Sequence, residues 1–198
     1  MKRIIFVLLI VVGCWSFYNR VGQVQLGPGI MAPTVPQQEN IDPPERHRLN
    51  QYAITKLAIF DIKAKVLSKK NYQFDREAGL APTDLALGWG KMSDEHILEK
   101  IKISQSNRFY YWRVDSFPIP RQEIETHSAN MHLIPANESV KKAIGKIRNG
   151  DIIEMSGSLV NVISDDGHWR WNSSLTRNDT GKGACELIWV ESLYIVTP

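Results

Sequence analysis

Residues 151–164, DIIEMSGSLVNVIS, constrain the fold more than any other stretch of the chain. Ile153 and Met155 flank Glu154, with Ser156 following, the period-two pattern of a strand with one buried side. Beyond Gly157 the apolar phase shifts to Val160 and Val162. A strand that changes its buried side half-way has to bend, and a glycine at the change fits a bulge or sharp bend. Asp166-Gly167 then signals a tight hairpin turn. It leads into HWRWN, where Trp169 and Trp171 share one face, expected to point inward, with His168 and Arg170 on the other.

Other segments extend the pattern. Phe60, Ile62, Ala64 and Val66 alternate with Asp61, Lys63 and Lys65, a second half-buried strand. The segment NYQFDREAGLAPTDLALGWGKMSDEH reads as irregular up to a helix start with Ser93 at its cap, Asp94 and Glu95 in the first turn, and Ile97, Leu98 and Ile101 as the apolar face. RFYYWRV reads as an aromatic strand. Val140, Ile144 and Ile147 form a helical stripe that Asn149-Gly150 closes as a left-handed stop. A final strand runs through CELIWVESLYIV. A bent strand, tight hairpins and few helices predict an α+β domain: a small twisted β-barrel of OB or SH3-like type with one or two short helices.

The N-terminus bears on compartment. Residues 4–18, IIFVLLIVVGCWSFY, contain no charge; Lys2 and Arg3 precede them and Arg20 follows. A cleaved signal peptide would need a small-residue site, which does not follow closely. An uncleaved anchor is short, but Trp15, Phe17 and Tyr18 fit an interfacial belt. Val11-Val12-Gly13-Cys14 resembles a lipobox, which makes Cys14 a lipidation candidate. All three readings place residues 20–198 outside the cytoplasm, with the chain held at a bacterial inner membrane through residues 4–18. The expected organisation is a membrane anchor or signal segment over 1–20, a flexible Pro/Gly-rich tether over 21–47, and an extracytoplasmic domain over 48–198.

Charge narrows the partners. The formal net charge is +3, and Lys2, Arg3 and Arg20 account for all of it, leaving 21 basic against 21 acidic residues in the rest. Nucleic acid is therefore a disfavoured partner, since phosphate binding needs a basic excess. That argues against reading residues 108–113, RFYYWR, as a base-stacking platform for single strands.

The words DLALGWG, HSANMHLIPA and RNDTGKGACE resemble those of a group of small bacterial proteins with an N-terminal membrane segment, over about residues 50–195. The resemblance implies a bacterial, membrane-anchored chain and contributes no catalytic residue. The C-terminal strands are also similar to OB-type modules of the bacterial envelope, a likeness of fold that carries no function.

Three constellations carry candidate chemistry. In HSANMH, His127 and His132 are five residues apart, a spacing that points them to opposite faces of a strand and well apart on a helix. A metal site there would need further ligands such as Asp84 or Glu186, so no metal is expected, and Ser128 and Asn130 are read as bonding local backbone. Cys185 with His127 or His132 as base, and Asn130 or Asp179 orienting it, is the alternative: an extracytoplasmic hydrolase. Its counter-reading is a thiol buried beside Leu187 and Trp189. The loop over 173–184 holds Arg177, Asp179 and Lys182 among glycines and is a ligand-binding candidate, as are Asn130 and Trp89, the last also a plausible core residue. The reading is a membrane-anchored envelope protein whose domain binds a partner protein or small ligand. No cofactor is expected, and an enzyme is the lesser alternative.

Overall fold

The alternation of Phe60, Ile62, Ala64 and Val66 lies in a strand of 20 residues, β2 (Tyr52–Asn71), and all four side chains are buried. The structure is a computed structural model, described here for residues 22–176 and 185–196. β2 is long enough to serve three neighbours. β1 (Gln37–Leu49) lies antiparallel on one edge. β3 (Thr83–Gly88) takes the far end of β2, from Lys65 to Asn71. The other edge carries β7 (Ile152–Ser164). β3 pairs with β6 (Ser128–Pro135), which runs parallel to β9 (Glu186–Val196), and β9 is antiparallel to β7. The pairing path β2–β3–β6–β9–β7 thus returns to β2, with β1 outside it and β8 (Arg170–Asn172) on β7. A separate hairpin, β4 (Ile101–Ser106) and β5 (Phe109–Val114), is inserted between β3 and β6. The fold is α+β, mostly strand, with three short helices among the described residues: α1 (Glu95–Leu98), α2 (Arg121–Thr126) and α3 (Glu138–Lys146).

Both faces of this sheet are covered. Phe60, Leu87, Met131, Leu133, Leu159 and Ile188 belong to one cluster. Ile134, Leu187, Val160 and Val162, which alternate with the first set along β6, β9 and β7, belong to a second with Tyr52 and Ile54. β2 changes face because its register against β7 slips between Lys56 and Ala58. The phase shift around Gly157 has the same origin: residues 157–160 are buried on both sides. Gly157 also sits where the β7–β9 register slips, and a Cβ there would lie 2.1 Å from the Trp189 carbonyl oxygen, so only glycine admits the crossing strand.

Several expectations are corrected. Trp169 and Trp171 do share a face, packed edge-on at 6.0 Å. That face belongs to the second cluster, however, and both rings are half-buried rather than interior. β3 was hidden in a segment read as irregular; all six of its residues are buried, so it shows no alternation. Asp94, not Ser93, caps α1, accepting from the His96 N–H, and Ile101 opens β4 instead of extending the helix. α3 fits its stripe: Val140, Ile144 and Ile147 pack into the first cluster, and Asn137 caps the helix through Val140 N–H.

The tether is the largest correction. Residues 37–49 form β1, interrupted at 41–44, where Pro43 and Pro44 have no N–H to give to a ladder. Residues 24–32 form a strap bound to the domain. Val24 N–H donates to the Asn149 carbonyl. Leu26 and Gly27 N–H groups donate to the two carboxylate oxygens of Glu95 at 2.7 and 2.6 Å. Met31 and Ala32 donate to Ser93 Oγ, the polar atom that was expected to cap the helix. Glu95 also accepts from the buried Lys65 ammonium at 2.8 Å. Burial alone would raise its pKa, but these three donors outweigh it and hold the carboxyl below its usual value.

Candidate functional site

Asn107-Arg108 joins β4 to β5 as a two-residue turn with φ of 50° and 67°. Both left-handed angles are those of a type I′ hairpin, where asparagine is common and the second position favours glycine. An arginine in that position costs about 1 kcal/mol or more. Its guanidinium offsets this cost with four hydrogen bonds. Nε and Nη2 donate to the two oxygens of Asp75 at 2.9 and 2.7 Å. Nη1 donates to Asp84 Oδ1 and to the Ala81 carbonyl, both at 2.8 Å. The same group lies 3.8 Å from the Tyr72 ring centroid and 5.8 Å from that of Trp171.

Asp84, Asn130 and His132 are neighbours across the β3–β6 and β6–β9 ladders, on the face opposite Leu85, Met131 and Leu133. His132 Nδ1 is 3.0 Å from Asp84 Oδ1 but off the line of an N–H bond, so the two are in contact without a hydrogen bond. Its ring packs on Trp171 at 4.7 Å. Asn130 donates to the Arg108 carbonyl at 3.0 Å and accepts from Gln105 at 2.6 Å. Asp84 Oδ2 and Gln105 Oε1 are buried acceptors with no partner among the described residues.

Charge follows geometry. The Arg108 hydrogen bonds hold the Asp75 carboxyl below its usual value. Burial, and then Asp84, push the Tyr72 phenol up. Nearby, Tyr110 bonds Ser128 at 3.2 Å, and burial pushes its phenol up to about 12. Two carboxylates facing one permanent cation leave the cluster with surplus acceptor capacity, which suits a group that donates hydrogen bonds.

The residues singled out from the sequence scatter around this centre. Asn130 and His132 lie in it. Cys185 stands at its rim, half-buried, with Sγ 3.9 Å from Asn130 Nδ2 and 4.0 Å from the Arg108 carbonyl oxygen. It is therefore not the fully covered thiol that was expected. His127 is elsewhere: its Nδ1 is 3.0 Å from Thr126 Oγ1 and its ring sits beside Trp89. Trp89 is 1% exposed in the first cluster, a core residue with no surface to offer a ligand. Ser128 bonds local backbone as expected, whereas Asn130 reaches a turn 22 residues away. Arg177, Asp179, Lys182 and Cys14 lie outside the described residues. Among the described residues no group of three His, Cys, Asp or Glu could hold a metal ion, and no helix is long and apolar enough to cross a membrane.

The sequence reading missed Tyr72, Asp75, Gln105 and Arg108 as members of one site. The single available signal was Asn-Arg between two strand-like runs, a turn with a charged residue where glycine is the usual choice. Compared with known proteins, the chain matches no family model, no curated protein and no solved structure.

Proposed function

We propose that the protein is a membrane-anchored bacterial envelope protein whose extracytoplasmic domain binds a partner protein or small ligand on the outer face of β3 and β6. We also read the five-strand ring as a small twisted barrel of OB type. Support for the barrel comes from the pairing path that returns to β2, the parallel β6–β9 pair, and a helix, α3, between the third and fourth strands of the ring. OB modules bind on the face of their second and third strands, between the loop joining strands one and two and the loop joining strands four and five.

One observation carries the binding reading. At the edge of the buried Arg108–Asp84–His132 cluster, the half-buried rings of Tyr72, from the first of those loops, and Trp171, from the second connection, offer surface to a ligand. The hydrolase alternative gains no support: the contacts of the Cys185 sulfur with Asn130 and the Arg108 carbonyl oxygen involve no base, and the His127 ring lies beside Thr126 and Trp89.

The test is amide and indole NMR of the protein titrated with peptide and oligosaccharide fractions of the bacterial envelope. Shifts centred on Tyr72, Asn130 and Trp171 support the proposal. Shifts centred on another face, or none with any fraction, sink it.

A further inference from the structure

Val24 is seated directly on the turn that follows α3. Its N–H donates to the Asn149 carbonyl at 2.8 Å, and a Cβ on Gly150 would lie 1.9 Å from its carbonyl oxygen. Val24 lies only six residue steps beyond Tyr18, the last residue of the uncharged N-terminal run. Fully extended, six residues span about 20 Å. A free tether over 21–47 would have allowed a mean reach of about 30 Å and a far longer maximum. The point of attachment therefore decides which face of the domain is closest to the membrane.

That face is basic. Lys141, Lys142, Lys146 and Arg148 are exposed around the Asn149-Gly150 turn. The turn itself binds Lys69 through its backbone N–H and the Asn149 side chain, and the Lys69 ammonium caps the last carbonyls of α3. Glu138 and Asp151 are the acids of this stretch, and they pair with Lys141 and Arg148. Lys142 and Lys146 have no acidic partner among the described residues. Glu95 is taken up by the strap and Lys65, and Glu99, exposed, lines the cleft of about 640 Å³ that also reaches Asn149 and Gly150. The chain beyond Arg20 is formally neutral, so this concentration of cations is local.

We infer that the basic face formed by Lys142, Lys146 and Arg148 docks on anionic lipid headgroups of the membrane that holds the N-terminal run. The inference rests on the membrane-anchored reading above. Cations held within a Debye length of an anionic bilayer, about 8 Å at physiological salt, are attracted to it. The short connection keeps them near that surface, as a high effective concentration would.

The full chain, reconstituted into nanodiscs of phosphatidylcholine with or without phosphatidylglycerol, is treated with an impermeant amine-acylating reagent, and modification is read lysine by lysine. Lys142 and Lys146 should react at least about threefold more slowly in the anionic discs. Lys102, on β4 and 63% exposed, should react equally in both. About 0.5 M NaCl, which shortens the Debye length to about 4 Å, should abolish the difference. Equal rates for a chain that has entered the discs overturn the docking and leave the membrane-anchored reading standing. A chain that stays outside the discs overturns both.

Discussion

The two sides of the β3–β6 pair are buried to the same depth by different means. On one side Leu85, Leu87, Met131 and Leu133 are fully covered, and any dense apolar packing satisfies them. On the other, Asp84, Asn130 and His132 are 0%, 4% and 3% exposed, and each needs a partner in a given direction. Their partners come from the hairpin turn, the loop before β3 and β8. The first side is non-directional and tolerant; the second is a set of specific bonds that fail together.

Arg108→Met should therefore be the most damaging single change. It strips the cation from Asp84 and Asp75 and leaves a buried carboxylate unpaired, at a cost of about 3–5 kcal/mol in urea unfolding. Adding Asp84→Leu should recover most of that loss, because replacing a buried pair by apolar groups is often close to neutral. Leu133→Ala, on the other side, should cost about 3 kcal/mol through lost burial and a cavity, and changes to the polar cluster should not rescue it. An Arg108→Met loss below about 1 kcal/mol would mean that Asp84 is not paying a desolvation cost, and the contrast between the faces would fail.

The contrast also explains what could be read in advance. Period-two alternation exposed β2 and the apolar side of β7, because one-sided burial leaves a local pattern. β3 and the middle of β7 are buried on both sides, so alternation vanishes and only the bend at Gly157 remains visible. The polar cluster was illegible for another reason: Asp75, Asp84, Arg108 and Asn130 meet only through the pairing of β3 with β6 and the folding back of the β4–β5 hairpin. The strap was misread because its Gly, Pro and Gln composition is that of a linker. Its bonds come from backbone N–H groups, to which composition is blind.

Gly150→Ala tests the strap against the sheet. The residue has φ of +91° and its new Cβ would collide with the Val24 carbonyl oxygen. The expected loss is about 1–2 kcal/mol. Cleavage within residues 22–32 by added protease should accelerate about tenfold while the sheet stays intact, since 1.4 kcal/mol shifts a local opening equilibrium tenfold. Unchanged cleavage would mean that Glu95 and Ser93 hold the strap without the Gly150 crossing.

Acid should loosen the same strap more gently. The folded-state pKa of Glu95 is depressed, so its contribution is complete above the ordinary glutamate value, about 4.3, and is lost as pH falls through the folded value. Asp75 follows the same sign beside Arg108. Stability should fall below about pH 4, and Glu95→Gln should flatten that fall, with Asp75 supplying what is left. An identical pH profile for the variant would mean that Glu95 contributes no acid sensitivity.

Cys185 offers the smallest expected effect and the clearest discrimination. A catalytic thiolate needs a base or a free cation beside it. Among the described residues, its sulfur lies 3.9 Å from the Asn130 amide and 4.0 Å from the Arg108 carbonyl oxygen, and the Arg108 guanidinium is bound to two aspartates. Being half-buried, the thiol should label measurably in the native protein, faster than a core cysteine and more slowly than after unfolding. His127→Ala removes a ring tied to Thr126 and Trp89, away from the cluster, and should leave the labelling rate unchanged at every pH. His132→Gln should alter it only in proportion to any loosening of the Asp84–Trp171 contacts, so its rate should track its stability. A fast native reaction at pH 6 that either substitution abolishes, with stability unchanged, would make the histidine a base for Cys185 and turn the binding face into an active site.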